Sequence, residues 1–205
     1  MNFDYSDYWK DERLVRNETG YYQKRYDSIK SFFNFTKTDR VLDIGGGAGL
    51  FMEYLGIKNA TILDISDSGL EIARERGFLI QKGNIQERFD LPKNTFDIAF
   101  CCEVLEHLDY PNKTLSEINN ILKEDGVLYV AQPNMKTDGK HHVRRFKLEE
   151  LKQDIKKCGF SIEAVEFVPA FFLDFLNPKI AYKLAKWIPD RFALFFVIKA
   201  RRGSK

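Results

Sequence analysis

The stretch that most constrains this chain is Arg40-Val41-Leu42-Asp43-Ile44-Gly45-Gly46-Gly47-Ala48-Gly49-Leu50-Phe51. Val41, Leu42 and Ile44 form a short apolar run that reads as a buried strand. The glycines after it let the backbone turn sharply, with no side chain to block a ligand lying against it. From Leu50 to Gly56 the pattern becomes helical, so a strand, a Gly-rich turn and a helix N-terminus follow one another. Such a turn aims backbone N–H groups at whatever binds there. Thr61-Ile62-Leu63-Asp64 is a second apolar run, and it ends in an acid. In a doubly wound sheet, an acid at the end of the second strand, about 20 residues on, meets ribose hydroxyls.

The glycine spacing narrows the nucleoside. A dinucleotide fingerprint reads G-x-G-x-x-G/A. Counted from Gly45 its last position is Leu50, and counted from Gly47 it is Met52, so both registers fail. The chain has no G-x-x-x-x-G-K-[ST] either, which excludes a phosphate-cradling P-loop. What stands here is Asp43-x-Gly45-x-Gly47-x-Gly49, followed by Asp64. This pattern resembles motif I and the following acidic motif of class I S-adenosylmethionine (SAM) methyltransferases. A ligand with a ribose but no pyrophosphate agrees with the missing third glycine.

Further matches lie downstream. The run Asp97 to His107, ending in Cys101-Cys102-Glu103-Val104-Leu105-Glu106-His107, is similar to a stretch of small-molecule methyltransferases, among them the ubiquinone-biosynthesis O-methyltransferases. The resemblance covers residues 37 to 168. It implies an α/β fold, a three-layer Rossmann-like seven-stranded sheet in order 3-2-1-4-5-7-6 with the last strand antiparallel. It also implies the cofactor site. Gly45, Gly46, Gly47 and Gly49 give close backbone approach, and Asp43 orders the loop near the methionine amine. Asp64, with Ile65 beside it, holds the ribose. Asn84 stands where such enzymes often carry an acid for the adenine amino group, and its carbonyl can still accept that bond. Ile85 packs on the adenine, and the Cys102–Glu103 backbone faces the methionine part.

Composition brackets these expectations. The 205 residues suit a single domain, 1–205, with an N-terminal lid or helix at 1–36, a cofactor-binding core at 37–168 and a helical insertion at 169–191. A formal net charge of +2 gives no whole-chain argument for nucleic acid, and no N/D-P-P-Y/F motif follows the fourth strand. Cys101, Cys102 and Cys158 have no metal-ligand spacing and read as reduced thiols of a cytoplasmic protein. Met1 to Tyr5 lacks the basic and apolar regions of a signal peptide, and no stretch approaches the roughly 18 apolar residues of a membrane span.

Along the chain, residues 21 to 35 carry Tyr22, Tyr26, Ile29 and Phe33 at helical spacing. An aromatic helix packed on the sheet is favoured over a lid in which Tyr8, Trp9 and Arg25 face the site. Ser66 or Ser68 caps the next helix, and Gly77 ends it. Phe78-Leu79-Ile80 and Thr95 to Phe100 are the third and fourth strands. Pro111 to Lys123 is a helix, and a turn at Glu124-Asp125-Gly126 leads into the fifth strand, Val127 to Ala131. Lys147 to Lys157 is a further helix, Ser161 to Val168 the sixth strand and Phe192 to Lys199 the last, with Arg201 to Lys205 a frayed tail. The insertion suits a pocket wall, a dimer contact or interfacial membrane contact, and most simply a helix packed on the sheet.

The expected reaction is transfer of a methyl group to a small molecule such as a metabolite, sugar or quinone-type precursor. The loop Lys136 to Phe146 lies on the ligand side of the sheet, and its histidines and arginines suit an acceptor. His141 or His142 is the first choice to take a proton, and His107 the second. No metal is expected, because adjacent histidines without an acid pattern lack a ligand constellation. The alternative function is a SAM-binding regulatory or assembly protein without turnover. Neither the acceptor nor the oligomeric state is set by the sequence.

Overall fold

A computed structural model describes residues 26–134, 142–169 and 193–203. Tyr8, Trp9, Tyr22, Arg25, Lys136 to His141 and, apart from its first residue Pro169, the insertion at 169–191 lie outside the described residues. Seven strands form one sheet: β1 (Val41–Ile44), β2 (Ala60–Asp64), β3 (Leu79–Lys82), β4 (Phe96–Cys102), β5 (Leu122–Pro133), β6 (Phe160–Pro169) and β7 (Ala193–Arg202). Their order is 3-2-1-4-5-7-6, as expected. β1 pairs parallel with β2 and β4, while β7 runs antiparallel between β5 and β6. The chain reverses direction across the sheet at β1, between β2 and β4. Ligand crevices of open α/β sheets form at such a switch point, beyond the carboxyl ends of the strands.

Among the described residues four α-helices accompany the sheet: α1 (Leu50–Leu55), α2 (Asp67–Glu75), α3 (Pro111–Ile121) and α4 (Leu148–Lys157). β1 is buried at all four positions, as a central strand covered on both faces must be. One core joins the strands to α3 and α4 through Leu115, Ile118, Leu151 and Ile155. The other joins them to α1, α2 and the 3-10 turn Asp27–Phe32 through Phe51, Leu70, Phe33 and Tyr26. Each fully buried leucine, isoleucine or phenylalanine stabilises the fold by about 1.5–3 kcal/mol.

Local signals behaved as read. Ser66 caps α2, its Oγ accepting from the Gly69 N–H at 3.2 Å. Gly77 follows the last residue of that helical stretch. α3 begins with Pro111, whose missing N–H costs nothing in the first turn.

Three expectations needed correction. Of the helix expected over residues 21 to 35, the part from Asp27 on is a 3-10 helix over Asp27–Phe32 rather than an α-helix reaching Phe35. Tyr26 and Phe33 do pack against the sheet. The turn at Glu124-Asp125-Gly126 lies inside β5: register passes from Phe96↔Leu122 to Ile98↔Val127, so the turn residues bulge out of a strand that has already begun. Asp125, at φ 61°, carries that bulge. Finally, Arg201 and Arg202 belong to β7 and are no frayed tail. Arg202 pairs with Phe160, is buried, and donates to Asn94 Oδ1 and to the Leu122 carbonyl.

Candidate active site at the carboxyl edge of the sheet

β1 delivers Asp43 and the glycine loop to the switch point. The loop is bonded largely to its own protein: the Gly45 N–H donates to Leu63 O at 2.7 Å and the Gly49 N–H to Gly46 O at 2.9 Å. The Gly47 N–H donates to Asp64 Oδ2 at 2.8 Å. The expected set of N–H groups free to meet a ligand is therefore largely used within the fold. A phosphate would need those groups, whereas a nucleoside without pyrophosphate does not.

Gly46 makes room for a carboxyl group. A Cβ there would lie 2.5 Å from Asp43 Oδ2, so any larger residue would displace the acid. Asp43 is 3% exposed, and its Oδ2 has no hydrogen-bond partner among the described residues. Burial, and after it the Asp64 charge, push the Asp43 carboxyl up to about 8. A buried acid with an unsatisfied oxygen fits a cationic ligand, which SAM is through its sulfonium and its ammonium.

Asp64 ends β2, with Oδ1 accepting from the Ser66 N–H at 2.8 Å and Oδ2 from Gly47. It thus ties the glycine loop to the start of α2. Burial raises its pKa, against the hydrogen bonds from Ser66, Gly47 and Ile65. These three bonds leave the carboxylate one of its roughly four lone-pair directions for a hydroxyl. Ile65 beside it is half exposed, at 51%. The end of β3 is joined to that of β2 by the Gly83 N–H on Asp64 O at 2.9 Å. Asn84 is engaged in its own turn: Oδ1 accepts from the Gln86 N–H at 3.0 Å, and Nδ2 donates to Glu87 at 3.0 Å. Its carbonyl is left with one lone-pair direction for adenine. Ile85 packs against the core, and its carbonyl accepts from Thr114.

β4 ends at Cys102, and the Glu103 N–H donates to Ala131 O at 2.9 Å. A Cβ at Gly45 would lie 2.7 Å from Val104 Cγ2, so the chain leaving β4 runs beside the glycine loop. Just beyond stand Glu106, 1% exposed, and His107. The chain returns from its loop with the Val143 N–H on Glu106 O at 2.9 Å, bringing His142 against His107 with ring centroids 4.9 Å apart. Glu106, His107 and His142 each offer a ligand atom, all within 4.8 Å of one another. The sequence reading saw no acid near the histidines, and the fold supplies Glu106. Carboxylate and imidazole donors together suit zinc and similar cations. Arg144 and Arg145 donate to the Asp109 and Asn134 carbonyls, at 3.1 and 3.3 Å.

Two residues here were not singled out by sequence. Glu106 stood inside the quoted Leu105-Glu106-His107 run, but its burial was not legible. Tyr26 read as one apolar position of a helix, yet its hydroxyl donates to Glu103 Oε1 at 2.8 Å.

Known proteins bear on this arrangement. The methyltransferase-domain family matches residues 42–130, which contain the glycine loop and the run ending in His107. An uncharacterized protein of Methanocaldococcus jannaschii is 31% identical over 78% of this chain and 70% of its own length. A ubiquinone biosynthesis O-methyltransferase of Actinobacillus pleuropneumoniae is 30% identical over 54% of this chain. The chain spans about half the length of that enzyme, at 52%. In fold it is similar to a Haloferax volcanii methyltransferase in complex with the Trm112 methyltransferase activator, with TM-score 0.76, 17% identity and 100% of both chains covered. Sheet order, glycine loop, buried acid and sequence relatives agree, and the chain belongs to the class I, SAM-dependent methyltransferases.

Proposed function

We propose that this chain transfers a methyl group from SAM to an oxygen or nitrogen of a small-molecule acceptor. The observation that carries the reading is the buried, unsatisfied Asp43 carboxyl beside the glycine loop at the switch point. Asp43, the Gly45–Gly49 loop and the Cys102–Glu103 backbone would hold the methionine end, Asp64 the ribose, and Asn84 and Ile85 the adenine. When bound, SAM supplies a methyl on a positive sulfur, already a strong electrophile. The protein's task is then to position the acceptor and exclude water.

An acceptor hydroxyl or ammonium must also lose a proton, and the His107–His142 pair stands where a group beyond β4 could take it. The Glu106 carboxyl, within 4.8 Å of both imidazoles, is the group that would balance a positive charge gained there. Exposed Val143 and Tyr110 near this pair suit an acceptor with an apolar part.

Calorimetric titration with S-adenosylhomocysteine, and with NAD as control, tests the cofactor. Binding of the former alone supports the reading, and binding of neither overturns it. Once an acceptor is found, His107→Asn with His142→Asn should leave S-adenosylhomocysteine affinity unchanged and lower turnover. An unaltered rate removes the pair from the chemistry, and turnover that requires an added divalent cation reassigns the cluster as a metal site. Binding with no turnover on any acceptor favours the regulatory alternative.

A second reading is that the chain works with a protein activator, as the Haloferax volcanii methyltransferase is found with Trm112. It is favoured by β3, an edge strand of the sheet among the described residues, where Leu79 is 67% exposed. Turnover by the purified chain alone argues against it.

A further inference from the structure

The hydrogen bond between Tyr26 and Glu103 joins residues 77 positions apart, at 2.8 Å, and the reading of the cofactor site leaves it unexplained. Tyr26 is 0% exposed. Its ring packs on Phe51 of α1 at 5.2 Å between centroids, on Phe33 at 6.1 Å and on Phe195 of β7 at 6.3 Å. Burying an aromatic ring this way needs no hydroxyl, and phenylalanine would fill the same space. A tyrosine at such a place is explained by what its hydroxyl reaches.

The hydroxyl reaches a backbone position of unusual conformation. Glu103 adopts φ 58°, a left-handed conformation disfavoured for a side chain of this kind, in the first position after β4. Its N–H is fixed on Ala131 O. With the backbone pinned and Oε1 held by Tyr26, the carboxylate is fixed in the first position after β4, next to Val104, whose side chain packs against Gly45 of the glycine loop. Strain of this kind persists where surrounding structure over-determines it, and such positions cluster at ligand sites.

We propose that Tyr26 is a positioning residue that holds the Glu103 carboxylate toward the amino-acid ammonium of SAM, making the segment before β1 part of the cofactor site. This inference rests on the cofactor assignment above. It also names a specificity: the clasp acts on the amino-acid tail of the ligand and leaves the adenosine end untouched.

The test compares two probes in calorimetry. S-adenosylhomocysteine carries the amino-acid tail, and 5′-methylthioadenosine is the same thioether nucleoside without it. Tyr26→Phe keeps the ring and removes only the hydroxyl, so it should weaken S-adenosylhomocysteine on the order of tenfold, the worth of one hydrogen bond to a charged group. It should leave 5′-methylthioadenosine unchanged. Glu103→Gln, at the other end of the bond, should show the same selectivity. Combining the two changes should weaken S-adenosylhomocysteine no further than Glu103→Gln alone. Equal loss for both probes means that Tyr26 serves only packing and overturns the proposal, as does no loss for either. If the unaltered protein binds neither probe, the cofactor assignment itself fails and takes the clasp with it. That outcome is distinct from loss of selectivity in a protein that binds both.

Discussion

Replacing Asp43 by asparagine should make the protein more stable at alkaline pH while spoiling its cofactor site. The unfolded carboxyl ionises near its ordinary 3.8, and the folded one near about 8 because it is buried. Between these values the folded chain holds one proton more than the unfolded chain. Stability therefore falls as pH rises through this window and levels off above the folded value. At about 1.4 kcal/mol per pH unit, this one group removes up to about 4 kcal/mol between about pH 5 and about pH 8. Asp43→Asn has nothing to ionise. Urea unfolding of both proteins at several pH values isolates the effect of Asp43 and its coupling to Asp64, because the distant groups titrate alike in the two and cancel in the difference. The advantage of the variant should grow with pH across the window. A difference that stays flat refutes the reasoning, since it would mean that Asp43 is ionised in the folded state at neutral pH. There is a ligand counterpart. A cation seated beside Asp43 draws its proton off, so SAM binding near neutral pH should release a proton, visible as a binding enthalpy that depends on the buffer. The variant should lose that dependence along with affinity.

Gly46→Ala should lower SAM affinity more than tenfold and destabilise the fold by about 1–3 kcal/mol, because the new Cβ would meet the Asp43 carboxyl at 2.5 Å. Unchanged calorimetric affinity would show that the loop yields freely. Arg202→Met keeps the aliphatic stem but strips the donors from Asn94 Oδ1 and the buried Leu122 carbonyl. It should cost about 1–3 kcal/mol in urea unfolding. No loss would return the end of β7 to the frayed tail that the sequence suggested.

The sequence by itself determined what short-range chemistry decides. A glycine run between an apolar strand and a helical pattern can form only a tight turn, so the β1–α1 loop and the position of Asp43 were legible. Ser66 declares its cap through a bond to a residue three positions on. The acid closing the second apolar run announced Asp64, and the sheet order followed by resemblance. Asn84 was found as a position, but its engagement in its own turn was not.

Tertiary structure decided every feature that depends on which strands become neighbours. Whether Glu124-Asp125-Gly126 is a turn or a bulge depends on where β4 lies, because the pairing of Leu122 with Phe96 starts the strand before the turn residues arrive. Arg202 is buried because β7 runs back antiparallel and carries it to Asn94 and Leu122, far away in sequence. Glu106 meets His142, and Tyr26 meets Glu103, across separations that no local periodicity encodes. Propensity and capping act over three or four residues, whereas a site at a switch point is assembled from the ends of strands whose adjacency exists only once the sheet has formed.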